Sequence, residues 1–209
     1  MRRPEFTIVA GANGTGKSSI GELYLYGNPH FYNGDIVFAE KKKQYPELNT
    51  EQLSGAVAVD LERTVDFTIK DRRNFAFESN FSNDMAVNLT NKFKANGYKT
   101  RLIFFGIENL EMCVSRVIQR KYTGGHNVSL DVIKFNYEEG IKRVNENLSL
   151  FENIIFVDNS KEKGESIIVA LYCKATGDKI IEEIDCIWFQ THFRVSFEKL
   201  QEWNTYCIY

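Results

Sequence analysis

The residues with the clearest capacity for chemistry stand near the start of the chain. Gly11-Ala12-Asn13-Gly14-Thr15-Gly16-Lys17-Ser18 matches G-x-x-x-x-G-K-[ST] at every position. Glycines let the backbone bend until its N–H groups converge on phosphate oxygens. The positive end of a following helix, opened by Lys17, Ser18 and Ser19, adds to the attraction. Lys17 supplies a cation for β- and γ-phosphates, and the Ser18 hydroxyl is a hard oxygen ligand for Mg²⁺. A glycine-rich turn with no ligand would share the composition but would not need to sit between a strand and a helix. The pattern implies ATP as cofactor, with Mg²⁺.

Further polar groups accompany it. Glu78 ends the run Asn74-Phe75-Ala76-Phe77-Glu78-Ser79, and open α/β sheets bind ligands at the carboxyl ends of their strands. It could reach Mg²⁺ through water, or be a solvated strand end. Arg116 and Arg120 lie four residues apart and share one helix face. That face is either solvated or placed to stabilise charge on transferred phosphoryl oxygens. Gly124-Gly125-His126 interrupts two helical patterns where a lid hinge could lie. His126 could touch phosphate or substrate, or make only a loop hydrogen bond.

These residues are carried by alternating strand and helix patterns. Phe6 to Ala10 reads as a buried strand, and Lys17 to Tyr26 as a helix. His30 to Ala39 is mixed and contains Asn33-Gly34-Asp35. Leu53, Val57, Leu61 and Val65 form a helical stripe that Thr50 can cap. After the strand at 74–79, Ser82 can cap a helix with Met85, Leu89 and Phe93 inside and Gly97 as its stop. Thr100 to Gly106 is a strand. Asn109 opens a helix with Leu110, Cys113, Val114, Val117 and Ile118 on its apolar face. Ser129 caps a longer one carrying Ile133, Tyr137, Ile141, Val144 and Leu148. Asn153 to Asp158 reads as the fifth strand, Ile167–Cys173 and Lys179–Ile184 as a hairpin around Thr176-Gly177, and Ser196 to Trp203 as a short helix. The fold class is α/β: a three-layer P-loop NTPase fold with a mostly parallel five-stranded sheet over residues 1–160, and a C-terminal β-hairpin extension over 161–209, packed on the core.

Composition narrows the function. At 43% hydrophobic and 26% charged residues, the 209-residue chain is not disordered in type. Twenty-six basic residues against 28 acidic ones give no support to a polynucleotide groove. No apolar run approaches the roughly 18 residues of a membrane span, and the stretch after Arg3 is too short for a signal peptide. Cys113, Cys173, Cys186 and Cys207 show no metal-ligand spacing. A cytoplasmic protein that engages neither nucleic acid nor membrane is expected. No guanine-reading N-K-x-D motif is present. Ile154-Ile155-Phe156-Val157-Asp158 fits the apolar-run-plus-acid spacing of motor ATPases better than the run ending at Glu78, but Asp158 falls so late that it reads as the last parallel strand.

The order of several segments resembles the zeta-toxin-like P-loop kinases. They are the phosphate loop with Ser19, Asn33-Gly34-Asp35, the stretch around Glu78, Ser115 to Val128, and Val157-Asp158-Asn159-Ser160. Together they span about residues 5 to 160. The resemblance implies an adenylate-kinase-like core that transfers phosphate from ATP to a hydroxyl of a small molecule, a sugar nucleotide such as UDP-N-acetylglucosamine in the characterised toxins. It implies that Asp35 faces the acceptor hydroxyl, that Glu78 and Asn80 contact substrate, and that Arg120 is the lid arginine, with Lys17 and Arg120 serving transfer alongside Asp35. Ser82 and Asn136 stand where the toxins usually carry arginines. The alternative is an ATP-binding or ATPase module without kinase activity, such as the toxin half of a pair whose partner is a protein antitoxin.

Overall fold

The computed structural model describes residues 3–122, 128–161 and 165–200. Gly124, Gly125, His126 and Cys207 lie outside them, as does the end of the helix expected to reach Trp203. Glu5–Ala10 (β1) has Phe6, Ile8, Val9 and Ala10 fully enclosed. With both faces covered, the strand is a continuous apolar run and not an alternating one. Its parallel neighbours are Phe75–Ser79 (β3) and Lys99–Gly106 (β4). His30–Tyr32 (β2) pairs parallel with β3, and Asn153–Asp158 (β5) with β4. Ile167–Cys173 (β6) and Asp178–Ile181 (β7) then continue the sheet antiparallel, in the order β2-β3-β1-β4-β5-β6-β7.

The parallel part therefore has the five strands expected. The hairpin is not a separate layer: it extends the same sheet to seven. After β1 the chain builds β2 and β3 on one side and β4 and β5 on the other. The switch point lies at the carboxyl end of β1, where open α/β sheets leave a ligand crevice.

Helix boundaries depart from the sequence reading where side chains compete. The segment after the phosphate loop is a single α-turn, Lys17–Ile20 (α1), followed by a 3-10 turn, Gly21–Tyr24. The mixed segment resolves into β2 and Gly34–Gln44 (α2). Thr50–Lys70 (α3) is capped by Asn49, not Thr50: Asn49 and Gln52 exchange side-chain-to-backbone hydrogen bonds in a reciprocal box. Asp84–Ala95 (α4) is capped by Asn83, because the Ser82 hydroxyl is bonded to Asn136. Met85, expected inside, is 44% exposed, whereas Phe93 is enclosed. In Leu110–Tyr122 (α5), Cys113 and Val117 are buried but Ile118 is exposed, so the apolar stripe is narrower than expected. Leu130–Asn147 (α6) is capped by Ser129, as expected, and buries Ile133 and Val144.

The segment beyond the hairpin forms Ile187–His192 (α7) and Arg194–Glu198 (α8). Phe193 packs 4.8 Å from both Phe104 and Phe156, ring centre to ring centre. Phe189, Phe193 and Phe197 are fully enclosed, each contributing roughly 1.5–3 kcal/mol by burial. Trp188 closes the contact at Gly106, where a Cβ would lie 2.3 Å from the indole ring. Neither the β4 backbone nor the enclosed ring can move far enough. Gly106→Ala is expected to lower stability by roughly 1–3 kcal/mol, read as a lower urea midpoint. An unchanged midpoint would mean that Trp188 yields without loss.

Candidate active site

The phosphate loop emerges from β1 and is wedged from two sides. Gly14 and Gly16 both have positive φ, 88° and 94°. A Cβ on Gly14 would lie 2.5 Å from the Cys113 carbonyl of α5, and one on Gly16 would lie 2.2 Å from the Asn159 amide nitrogen. Glycine is required there twice over, by backbone conformation and by close approach. The loop is also tied. Thr15 donates its hydroxyl to the Ala12 carbonyl at 2.9 Å, and Asn159 Nδ2 donates to the Thr15 carbonyl at 2.8 Å. Asn136 of α6 donates to Asn13 Oδ1 at 2.7 Å.

Lys17, at the start of α1, is only 6% exposed. Its ammonium donates to the Ala12 carbonyl at 2.8 Å and to Asn80 Oδ1 at 3.0 Å. Burial lowers its pKa from the ordinary lysine range to about 8, against the opposing pull of Glu78 and Asp35, and the Arg120 cation pushes the same way as burial.

Glu78 lies opposite Val9 in the β1–β3 register, one strand from the loop. Its carboxylate accepts from the Ser18 hydroxyl at 2.7 Å and from Asn33 Nδ2 at 2.6 Å. Asn33 caps α2 by accepting from the Asp35 and Ile36 amides, which places Asp35 in the first helical turn at the cavity wall. The acid adjoining the Ser18 ligand is thus Glu78. Asp158, whose spacing fitted a motor ATPase better, instead accepts from Trp188 Nε1 at 2.9 Å and from Ser160. A hydroxyl beside a carboxylate is an oxygen donor set suited to Mg²⁺, with triphosphate and water completing the shell. Among the described residues no group of three or more His, Cys, Asp or Glu side chains forms a metal cage.

These groups line one cavity of about 760 Å³, which brings together the loop, Asn33, Asp35, Glu78, Asn80, Arg116 and Arg120. His126 lies outside the described residues. A larger cavity, about 1280 Å³, opens at the amino ends of the strands beside Glu5, His30 and Lys99 and holds none of the motif residues. Arg116 has a second task that its spacing did not reveal: its guanidinium donates to the carbonyls of Asn159, Ser160 and Lys161 at 2.7 to 3.3 Å. It braces the segment that holds the loop. Sequence reasoning also gave no separate role to Asn33 or Asn159, or to Gly140, where a Cβ would lie 2.5 Å from the Asn80 carbonyl. Signals existed for two of them: an asparagine before a helix start, and a glycine inside a helical pattern.

A parallel sheet with a phosphate loop at its switch point, a buried lysine and an acid one strand away defines a P-loop fold of the kinase type. More particularly, the model of the family described as zeta toxin matches residues 1–164, and the chain belongs to that family. The chain is similar in fold to a protein of the PezAT chromosomal toxin–antitoxin system of Streptococcus pneumoniae, with 16% identity, 98% of this chain and 89% of that one covered, and a TM-score of 0.66. It is similar in fold to the AvrRxo1-ORF1:-ORF2 complex solved with ATP, with 16% identity, 91% of this chain and 63% of that one, and a TM-score of 0.65. An uncharacterised protein of Haemophilus influenzae is 28% identical over 127 residues, 61% of this chain and 88% of its own length. No described helix is long and apolar enough to cross a membrane.

The lowered pKa of Lys17 makes nucleotide binding a proton-linked event. Phosphates beside the ammonium should return its pKa toward the ordinary value of about 10.4. The bound state then holds more protons between pH 8 and 10, so affinity falls as pH rises through that window. At pH 8.5, Mg–ATP binding is expected to take up roughly half a proton or more, with no uptake at pH 6.5. Calorimetry in buffers of different ionisation enthalpy counts the protons, and equal counts at both pH values would remove Lys17 as the responsible group.

Proposed function

We propose that the chain is a kinase that moves the γ-phosphoryl group of ATP to a hydroxyl of a small molecule. The observation that carries this reading is the placement of Asp35 in the same cavity as Lys17, Ser18 and Arg120. A simple ATP binder needs the loop but has no use for a carboxylate presented from α2 on the opposite wall. The loop amides and Lys17 hold the triphosphate. Ser18, with Glu78 behind it, is suited to hold magnesium, which would neutralise charge on the β- and γ-oxygens. Asp35 orients the acceptor hydroxyl in line and takes its proton late in transfer. Arg120 approaches from α5, where a guanidinium stabilises charge spread over the transferred group. Arg116 keeps Asn159, and through it the loop, in place.

Two variants separate the roles. Asp35→Asn keeps the size and loses the basicity. ATP binding should persist, while transfer to the acceptor falls by roughly 10²–10⁴-fold and background hydrolysis falls less. Side-by-side rates of transfer and hydrolysis decide the matter: if both fall together, or neither falls, Asp35 is not the acceptor base. Arg120→Ala should lower kcat more than it raises KM for ATP, because its contact tightens in the transition state. Turnover equal to wild type would return Arg120 to the solvated face of α5.

A further inference from the structure

The charges around the cavity are segregated. Every cation that the described residues contribute to its lining comes from the nucleotide flank: Lys17 from the loop, Arg116 and Arg120 from α5, and Lys161 after β5. The opposite flank, built from Asn33 to Asp35 and from Phe77 to Asn80, contributes two carboxylates, Asp35 and Glu78, among otherwise uncharged groups. Basic side chains on the elements behind that flank are paired elsewhere. Lys41 lies 3.1 Å from Asp60, and Arg143 is held by Asp84 and Glu139. Lys134 faces Glu138 at 3.9 Å on the exposed side of α6.

A neutral chain closes the floor between the two flanks. The Ser82 hydroxyl donates to Asn136 Oδ1 at 2.6 Å, and Asn136 Nδ2 donates to Asn13. Both ends of the Asn136 amide are consumed, and the residue is 7% exposed. It offers an incoming anion neither charge nor a spare donor. A phosphate group drawn into this flank would leave water for the neighbourhood of carboxylates with no cation to offset the loss. Even if Glu78 shares its charge with magnesium, Asp35 remains, and the magnesium belongs to the triphosphate. Hydroxyl and amine groups meet the opposite situation, because carboxylates and amide oxygens accept from both.

Resting on the kinase reading, we infer that the acceptor is a polyhydroxy compound without phosphate groups, uncharged or bearing an amine, and not a sugar nucleotide. The transfer itself is balanced as for any kinase: the acceptor oxygen bonds to the γ-phosphorus, the bond to the β-bridging oxygen breaks, ADP leaves, and the hydroxyl proton passes to Asp35.

The test uses the whole chain saturated with Mg²⁺ and a non-hydrolysable ATP analogue. Wild type and Asp35→Asn are titrated with a matched pair of probes, N-acetylglucosamine and UDP-N-acetylglucosamine. Removing the carboxylate should tighten retention of the UDP sugar by roughly tenfold and change that of the free sugar by less than about twofold. In wild type with labelled ATP, transfer should go only to the phosphate-free member of sugar, amino-sugar and nucleoside pairs. Micromolar retention of UDP-N-acetylglucosamine by wild type, transfer to it, or an Asp35→Asn variant that retains it no better would overturn the inference. Those results leave the kinase reading standing. Only a failure to transfer phosphate to any hydroxyl, alongside equal hydrolysis by wild type and Asp35→Asn, would remove that reading, and the retention comparison still reports on the charge of the flank.

Discussion

The site is organised around an ammonium group withdrawn from water. Lys17 is nearly enclosed, and an enclosed cation is tolerated only where acceptors and opposite charge surround it. The Ala12 carbonyl and Asn80 amide supply the first, and Glu78 and Asp35 the second. Those four residues come from the loop after β1, the end of β3 and the first turn of α2. Satisfying one lysine therefore draws together the three segments that must meet for phosphoryl transfer. The remaining burial penalty lowers its pKa to about 8, and a triphosphate would relieve it.

The loop that carries Lys17 is held as much by its neighbours as by its glycines. Asn159 at the end of β5 fastens the Thr15 carbonyl, and Arg116 fastens the backbone of Asn159. Next to Asn159, Asp158 is bonded to Trp188 of α7. Trp188 in turn rests on Gly106. A continuous chain of close contacts thus connects the C-terminal helices to the phosphate loop through the ends of β4 and β5. The aromatic cluster of Phe104, Phe156, Phe189 and Phe193 holds the outer end of that chain. Nothing in the C-terminal segment lines the candidate active site, yet its packing bears on the strand ends that do.

Much of this was legible in the residues alone, for a physical reason in each case. The phosphate loop is local: its glycines, lysine and serine act within eight consecutive positions, so their spacing states their purpose. The five parallel strands are legible because strands covered on both faces must be apolar throughout, as β1 and β4 are. Helix caps were less so, because Asn49 competes with Thr50 and Asn83 with Ser82 within one residue of each other, and only the partners decide. Ser82 lost its capping role to a hydrogen bond with Asn136, 54 residues away.

What only the tertiary structure decided are relations between distant segments. Spacing alone preferred Asp158 to Glu78 as the acid of the site. The strand order reverses that choice, because β3 lies beside β1 while β5 lies beyond β4. Pattern reading placed Arg116 with Arg120 on one helix face but could not show that the first grips three carbonyls after β5. Nor could it show that cations gather on one wall of the cavity and carboxylates on the other. Charge composition is nearly balanced along the chain, and the asymmetry arises only when β2, β3 and α2 fold to one side of the loop and α5 and β5 to the other. A local motif is written in sequence because its parts are neighbours in the chain; a field across a cavity is the sum of groups that only folding makes neighbours.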